Sequence, residues 1–214
     1  MTRIGWDIIA SLGAGVMVWW SVRVLRRRHR RHRRILAALH AMSGHLLLEE
    51  QRMQSRPMPT LHGRYHSYSM AIDADDRATS WCWRVHTELH NVWDGRLFLQ
   101  GDDRPGKMRE LYGKDVMFTG DRLFDRQVIV AGSDRERMRL LFTPYLRARY
   151  QQLSETHFQI EMRQRAVYAE FVTGIAHPEA RVATYLDLLA VTCAALDLLL
   201  QGPLNTATDT SLQD

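Results

Sequence analysis

Apolar positions fill Ile4–Leu25 almost without a break, and the run stops at eight arginines within the twelve residues Arg23–Arg34. As a helix those 22 residues extend about 33 Å, close to the roughly 30 Å of a bilayer's hydrocarbon. Asp7 and Arg23 bracket an uninterrupted apolar core, Ile8–Val22. Asp7 suits the outer interface, and Arg23 is long enough to snorkel its guanidinium to the inner one. Trp6 and Trp19-Trp20 stand where interfacial aromatics belong. A cleaved signal peptide carries its charge before the apolar run and a small-residue site after it, whereas here only Arg3 precedes. The pattern predicts a retained single-span anchor over residues 1–34. The charge asymmetry predicts an outward N-terminus and a cytoplasmic remainder, on the inner membrane of a bacterium.

Beyond the arginines, Ile35, Leu36, Leu39, Met42, Leu46, Leu47 and Met53 keep helical spacing, which predicts a helical stalk over 35–56. Arg56-Pro57-Met58-Pro59 ends it, because proline removes amide donors and disfavours helix at the residue before. A domain over 57–203 follows. Leu61–Asp73 reads as a strand and Asp75-Asp76 as a turn. In Thr79–His90, Trp81, Trp83, Val85 and Leu89 alternate with Cys82, Arg84, His86, Glu88 and His90, giving one apolar and one polar face. Asn91–Gly95 reads as a turn and Arg96–Gln100 as a short strand, so this region predicts an antiparallel meander.

Gly101–Gly113 is polar, with one helical turn expected near Met108–Leu111. Asp125–Ala131 reads as a strand. Ser133-Asp-Arg-Glu136 has the form of a capping box before a helix to about Phe142. Thr143-Pro144 caps another, with Leu146, Tyr150 and Leu153 as its stripe. His157–Met162 and Arg165–Thr173 suggest a hairpin. Pro178 opens a long helix stopped by Gly202-Pro203, and 204–214 is a polar tail expected to be disordered. The last helix is apolar enough to raise a second span. Asp187 and Asp197 oppose that, falling on a stripe with Ala183, Ala190 and Ala194 beside another of Leu186, Leu189, Cys193 and Leu196. The expected fold class is therefore α+β: an N-terminal transmembrane helix and helical stalk, then an antiparallel sheet packed with C-terminal helices.

The net charge of +5 conceals an asymmetry. Past Arg34 the chain has 20 basic residues against 23 acidic, so the domain is mildly acidic and lacks the basic balance that nucleic-acid binding requires. Arg23, Arg26, Arg27, Arg28, Arg30, Arg31, Arg33 and Arg34 are instead expected at anionic headgroups, each worth about 1 kcal/mol near the surface. Small residues four apart, Ala10 with Ala14 and Ser11 with Gly15, allow close approach of two anchor helices and hence a homodimer. Cys82 and Cys193 are expected to be free thiols in a reducing compartment. The 27 arginines against two lysines suggest a GC-rich bacterial genome.

His86-Thr-Glu-Leu-His90 is the most suggestive local cluster. Its order is neither His-Glu-x-x-His nor His-x-x-Glu-His, so it is not a zinc-hydrolase helix. On a strand, His86, Glu88 and His90 share a face and form a candidate metal site, to which His62 and His66 on the preceding strand could add; the competing reading is a solvated sheet face. Asp102, Asp103, Asp115, Asp121 and Asp125 lack the register of a calcium loop and read as surface turns. Cys82 falls on the polar face but has no base partner in sequence. No nucleophile elbow, phosphate loop or dinucleotide fingerprint occurs, so no catalytic residue and no cofactor is predicted.

Phe124-Asp125, Val128, Val130, Gly132, Asp134 and Leu140-Leu141-Phe142-Thr143-Pro144, with Gly63-Arg64-Tyr65 upstream, resemble the pattern of an uncharacterised bacterial family of N-terminally membrane-anchored proteins with a cytoplasmic α+β domain. The resemblance spans about 60–200 and implies the architecture, with no activity attached. The function expected is a membrane-anchored binding or scaffolding module with a protein partner. The alternatives are a metal-dependent enzyme on the His86/Glu88/His90 face and a small-ligand sensor.

Overall fold

A computed structural model describes residues 3–45, 49–54, 59–77, 80–101, 115–153, 157–174 and 178–202. Helix α1 (Arg3–His45) is one unbroken element. Strands β1 (Glu49–Gln54), β2 (Thr60–Tyr65), β3 (Tyr68–Arg77) and β4 (Ser80–Gly101) follow, then β5 (Val116–Met117), α2 (Arg122–Gln127), β6 (Val128–Gly132), α3 (Arg135–Leu141), α4 (Pro144–Gln151), β7 (Phe158–Gly174) and α5 (Pro178–Gln201). The strands form one antiparallel sheet in the order β1-β2-β3-β4-β6-β5, with β7 on the other side of β4. The chain is α+β, a sheet packed with helices, as its periodicities predict.

The expected stalk is not a stalk. Helix α1 ends at His45, and Glu49–Gln54 pairs with β2 as an edge strand. Ile35, Leu39 and Met42 are fully buried against β3 and α5, so the last turns of α1 belong to the domain. The apolar spacing is real, but it serves a core face. The proline-bearing segment 55–58, the helical turn near Met108–Leu111 and the tail 204–214 lie outside the described residues.

Two expected turns are absent. At Asn91–Gly95 and again at Gln164 the chain bends without reversing, so β4 and β7 run as two long partners. Ser80–Glu88 pairs with Ala166–Gly174, and Arg96–Gly101 with Phe158–Arg163, with irregular register between. Gln164 takes φ 57, the left-handed region that non-glycine residues seldom occupy. The bend is large: His157 O accepts from Val172 N at 2.9 Å, although fifteen residues of straight strand would part them by about 50 Å. Turn-forming residues here make a bulge and a fold in a two-stranded ribbon instead of a hairpin. Gly101 allows the ribbon to close, since a Cβ there would lie 2.1 Å from the Phe158 ring.

The reading of Leu61–Asp73 as one strand misses the two-residue turn at His66-Ser67, where His66 takes φ 53. The turn expected at Asp75-Asp76 is displaced, because pairing runs on to Arg77↔Ser80. Both aspartates are held from outside: Arg31 of α1 pairs with Asp75, and Arg34 with Asp76 at 3.6 Å. Asp125 lies in α2, not in a strand, which starts at Val128. Its buried carboxylate accepts from Thr119 N, Thr119 Oγ1 and Gly120 N at 2.9–3.1 Å. The cap of α3 is Asp134, which accepts from Arg137 N at 3.1 Å, while Ser133 Oγ accepts from Arg96 N at 3.0 Å. Thr143 and Pro144 cap α4 as expected.

Among the described residues, the helix long and apolar enough to cross a bilayer is the C-terminal one, over Arg181–Gln201, and not α1. Over half of that stretch is buried within the domain. It crosses β4 and β7 with α1 and α3 also against it. Asp197, read from sequence as part of a polar stripe, is 3% exposed. Its carboxylate accepts from Tyr68 OH at 2.8 Å, His90 N at 3.1 Å, Asn91 N at 2.8 Å and Asn91 Nδ2 at 3.1 Å. A buried carboxylate survives when hydrogen bonds replace its water, and here it satisfies two amides that the β4 bulge removes from the ladder. Removing it strands those donors at about 1–3 kcal/mol each. Asp197→Ala should therefore lower the unfolding free energy by about 3 kcal/mol or more, and Tyr68→Phe by about 1 kcal/mol, in urea denaturation of the full chain.

Candidate functional site

The pleat places Arg84, His86 and Glu88 on the outer face of β4, away from α5. Register supplies their neighbours. Arg84 lies between Asp73 of β3 and Glu170 of β7; His86 lies between Ala71 and Tyr168; Glu88 stands opposite Ala166. One strand further out, His62 stands opposite Ala71 and Arg64 opposite Ser69.

The face divides into two halves of different character. Toward Ser80 it is a closed ion-pair network. Arg84 places Nε and Nη2 on Asp73 Oδ1 at 2.7 and 2.6 Å, Tyr168 OH donates to Glu170 Oε2 at 3.2 Å, and Arg77 approaches Glu170 at 3.7 Å. Burial, reinforced by Glu170, pushes the Tyr168 phenol up to about 12. Cys82 is not the accessible thiol expected from its position. It is buried, and burial, followed by a hydrogen bond to Glu170, pushes its pKa up to about 11. It therefore stays a buried neutral thiol near neutral pH, where it is a poor nucleophile.

The other half is an open trough of about 1030 Å³. Small residues, Ser69, Ala71 and Ala166, make its floor, and His62, Arg64, His86, Glu88, His90 and Arg165 stand around it. Neither Arg64 nor Arg165 has an ion-pair partner among the described residues, whereas Arg77 and Arg84 at the other end are both paired.

His86, Glu88 and His90 are aligned as expected but do not converge. Alternate residues on a strand are about 6.7 Å apart, so His86 and His90 are separated by about 13 Å along the backbone. The His90 ring stacks on Tyr68 at 4.7 Å with Nε2 3.3 Å from Ser67 Oγ, and the His86 ring leans on Tyr168. His62 is two strand spacings from His86, with Ala71 between. His66 does not share a face with His62, because its ring sits in the turn, 3.7 Å from Asp187 of α5. Among the described residues no group of three His, Cys, Asp or Glu side chains is placed to hold a metal. Of the acidic residues in the loop-rich region, Asp102 and Asp103 lie outside the described residues, Asp115 is exposed, and Asp121 caps α2.

No family model matches the chain, and no curated protein does. Among solved structures it is similar to the mycobacterial trehalose monomycolate transport factor A, TtfA. That likeness has a TM-score of 0.49 and 10% identity, over 81% of this chain and 97% of the other. At such identity and score, nothing of that protein's transport role passes to this one.

The basic block is the second feature of the site. Its eight arginines lie on α1, all exposed. Arg23 sits over the Trp19 ring at 4.9 Å from its centroid, a cation–π contact. Arg31 and Arg34 belong to a different set from the rest, turned to Asp75 and Asp76 of the domain. Sequence reasoning missed this pairing, because no local signal links residues so far apart. It also missed Arg64, which strand register brings to the trough, and Arg165, which the irregular stretch of β7 beside Gln164 brings there.

Burial of Cys82 carries a direct test. Alkylation by iodoacetamide at pH 8 should be negligible in the native chain, complete after denaturation, and should rise in the native chain only as pH approaches about 11, as read by mass spectrometry.

Proposed function

We propose that the chain is a binding or scaffolding module, anchored in the inner membrane by its N-terminal helix, with the domain at the cytoplasmic face. The observation that carries this reading is the continuity of α1. One helix runs from the apolar segment through the arginines, and its last turns are buried in the domain core. Such a helix transmits orientation as well as position. Only about 13 Å separates Arg26 from Ile35 along the axis, so the domain would lie directly against the headgroups.

The arginines support a cytoplasmic domain by the positive-inside rule. The trough supports binding in preference to chemistry: it is open, and its floor is of small residues, while the buried carboxylates Asp125 and Asp197 are fully committed to structural hydrogen bonds. A partner protein is the occupant this arrangement suits, and self-association through the small residues of the anchor would double the display.

Alkaline carbonate washing of membranes should leave the full-length chain in the pellet, and a chain lacking residues 1–25 should be released. Protease added outside spheroplasts should leave residues 35–202 intact, and protease added to inverted vesicles should digest them. Release of the full-length chain, or digestion from outside, would overturn the reading.

A further inference from the structure

We infer that the trough on the outer sheet face is a docking site for an extended acidic peptide segment of a soluble partner, with acidic side chains at positions i and i+4 and a hydrogen-bond donor at i+2. The inference rests on the reading of the chain as a binding module and names the chemistry of what it binds.

Charge is the first argument. Past Arg34 the chain is net acidic, 20 basic residues against 23 acidic, yet around the trough two arginines without ion-pair partners among the described residues face a single carboxylate, Glu88. Exposed guanidiniums that make no ion pair among the described residues are available to an external anion, in the forked geometry carboxylates accept.

Spacing is the second. Arg64 is on β2 and Arg165 on β7, three strand spacings apart across β3 and β4, or about 14 Å. Glu88 stands on β4 between them and repels an anion placed midway. A lone phosphate engaging both arginines would have to sit in that middle. An extended peptide crossing the strands avoids the conflict, because residues i, i+2 and i+4 point to one side at intervals of about 6.7 Å. Its end carboxylates meet the two arginines, and its central side chain, a Lys or Ser, donates to Glu88. The floor of Ser69, Ala71 and Ala166 leaves room for a backbone to approach the sheet closely.

Position is the third. Arg31 and Arg34 hold the Asp75-Asp76 end of β3, whereas the trough lies at the Ser69–Ala71 end, about 13–20 Å further along the strand. A lipid headgroup lying on the arginine block does not reach it.

The test uses the full chain in phosphatidylcholine nanodiscs at low salt, with a fluorescent peptide carrying Glu-Ser-Lys-Ser-Glu in a Gly/Ser frame and anisotropy as the readout. The peptide should bind. Arg64→Ala with Arg165→Ala should weaken binding tenfold or more, as expected for losing two charge-assisted bonds. Glu88→Lys should invert the central preference, so that a peptide with Glu at i, i+2 and i+4 binds better than the Lys-centred one. Equal binding of a charge-reversed Lys-Ser-Glu-Ser-Lys peptide would overturn the assignment. So would affinity unchanged in the double variant, which would place the peptide on the basic helix. Competition by inorganic phosphate at similar concentration, or Arg64- and Arg165-dependent binding of phosphatidylserine vesicles, would replace the peptide with a phosphate or a headgroup and also overturn it. Failure of peptide binding in a chain that resists carbonate extraction sinks only this inference. Release by carbonate with peptide binding intact sinks only the anchored reading.

Discussion

A single carboxylate, Asp197, ties the irregular stretch of β4 to the start of β3 and to helix α5. Strand β4 leaves its ladder at His90-Asn91, and amides withdrawn from a ladder need another acceptor. Helix α5 supplies it from above, and Tyr68 of β3 donates to the same group. The bulge, the start of β3 and the helix are thereby fixed to one another through a buried group. Hydrogen bonds to a charged acceptor are about twice as strong as neutral ones, so the clamp is stiff. Burial, followed by the bond to Asp197, raises the Tyr68 phenol far above its ordinary range, so it remains a donor at any working pH. The curvature of the ribbon, and with it the shape of the outer face, descends from that clamp.

Much of the architecture is legible in the chain. Period-two alternation over Trp81–His90 identifies the central strand and assigns its faces, and Thr143-Pro144 and Pro178 mark helix starts that the structure keeps. These signals are local and physical: a pleat, a cap, a missing amide. Failures came where local chemistry is ambiguous. Asn91–Gly95 and Gln164 carry the composition of turns, and the backbone does bend there, but whether a bend reverses the chain depends on what the strand finds beyond it. Ile35, Leu39 and Met42 announce a buried face without saying what buries it. Asp197 looks like a solvated residue because hydropathy is assigned residue by residue, and only a folded partner set makes its burial affordable.

The candidate site divides in the same way. That His86 and Glu88 share a face follows from the strand period alone. That Ala71, Ser69 and Ala166 lie beside them, and that Arg64 stands at one edge of the space, follows from pairing register across β2, β3, β4 and β7, which no single-strand pattern contains; Arg165 reaches the other edge from the irregular stretch of β7. The same register separates the histidines that sequence proximity seemed to gather. His66 leaves the group entirely because the β2–β3 turn carries it toward Asp187. Ion pairing between Arg31 and Asp75 divides a basic block that composition treats as uniform.

The seamless α1 has an angular meaning. A helix turns 100° per residue, so the compass bearing of the sheet about the helix axis is set by how many residues separate Leu25 from Ile35. Whatever grips the upstream half would see the trough at a fixed azimuth. Adding one residue to the arginine block would swing the whole domain by more than a quarter circle, whereas adding seven would nearly restore it. The length of that block is thus a geometric parameter in its own right, independent of the charge it carries.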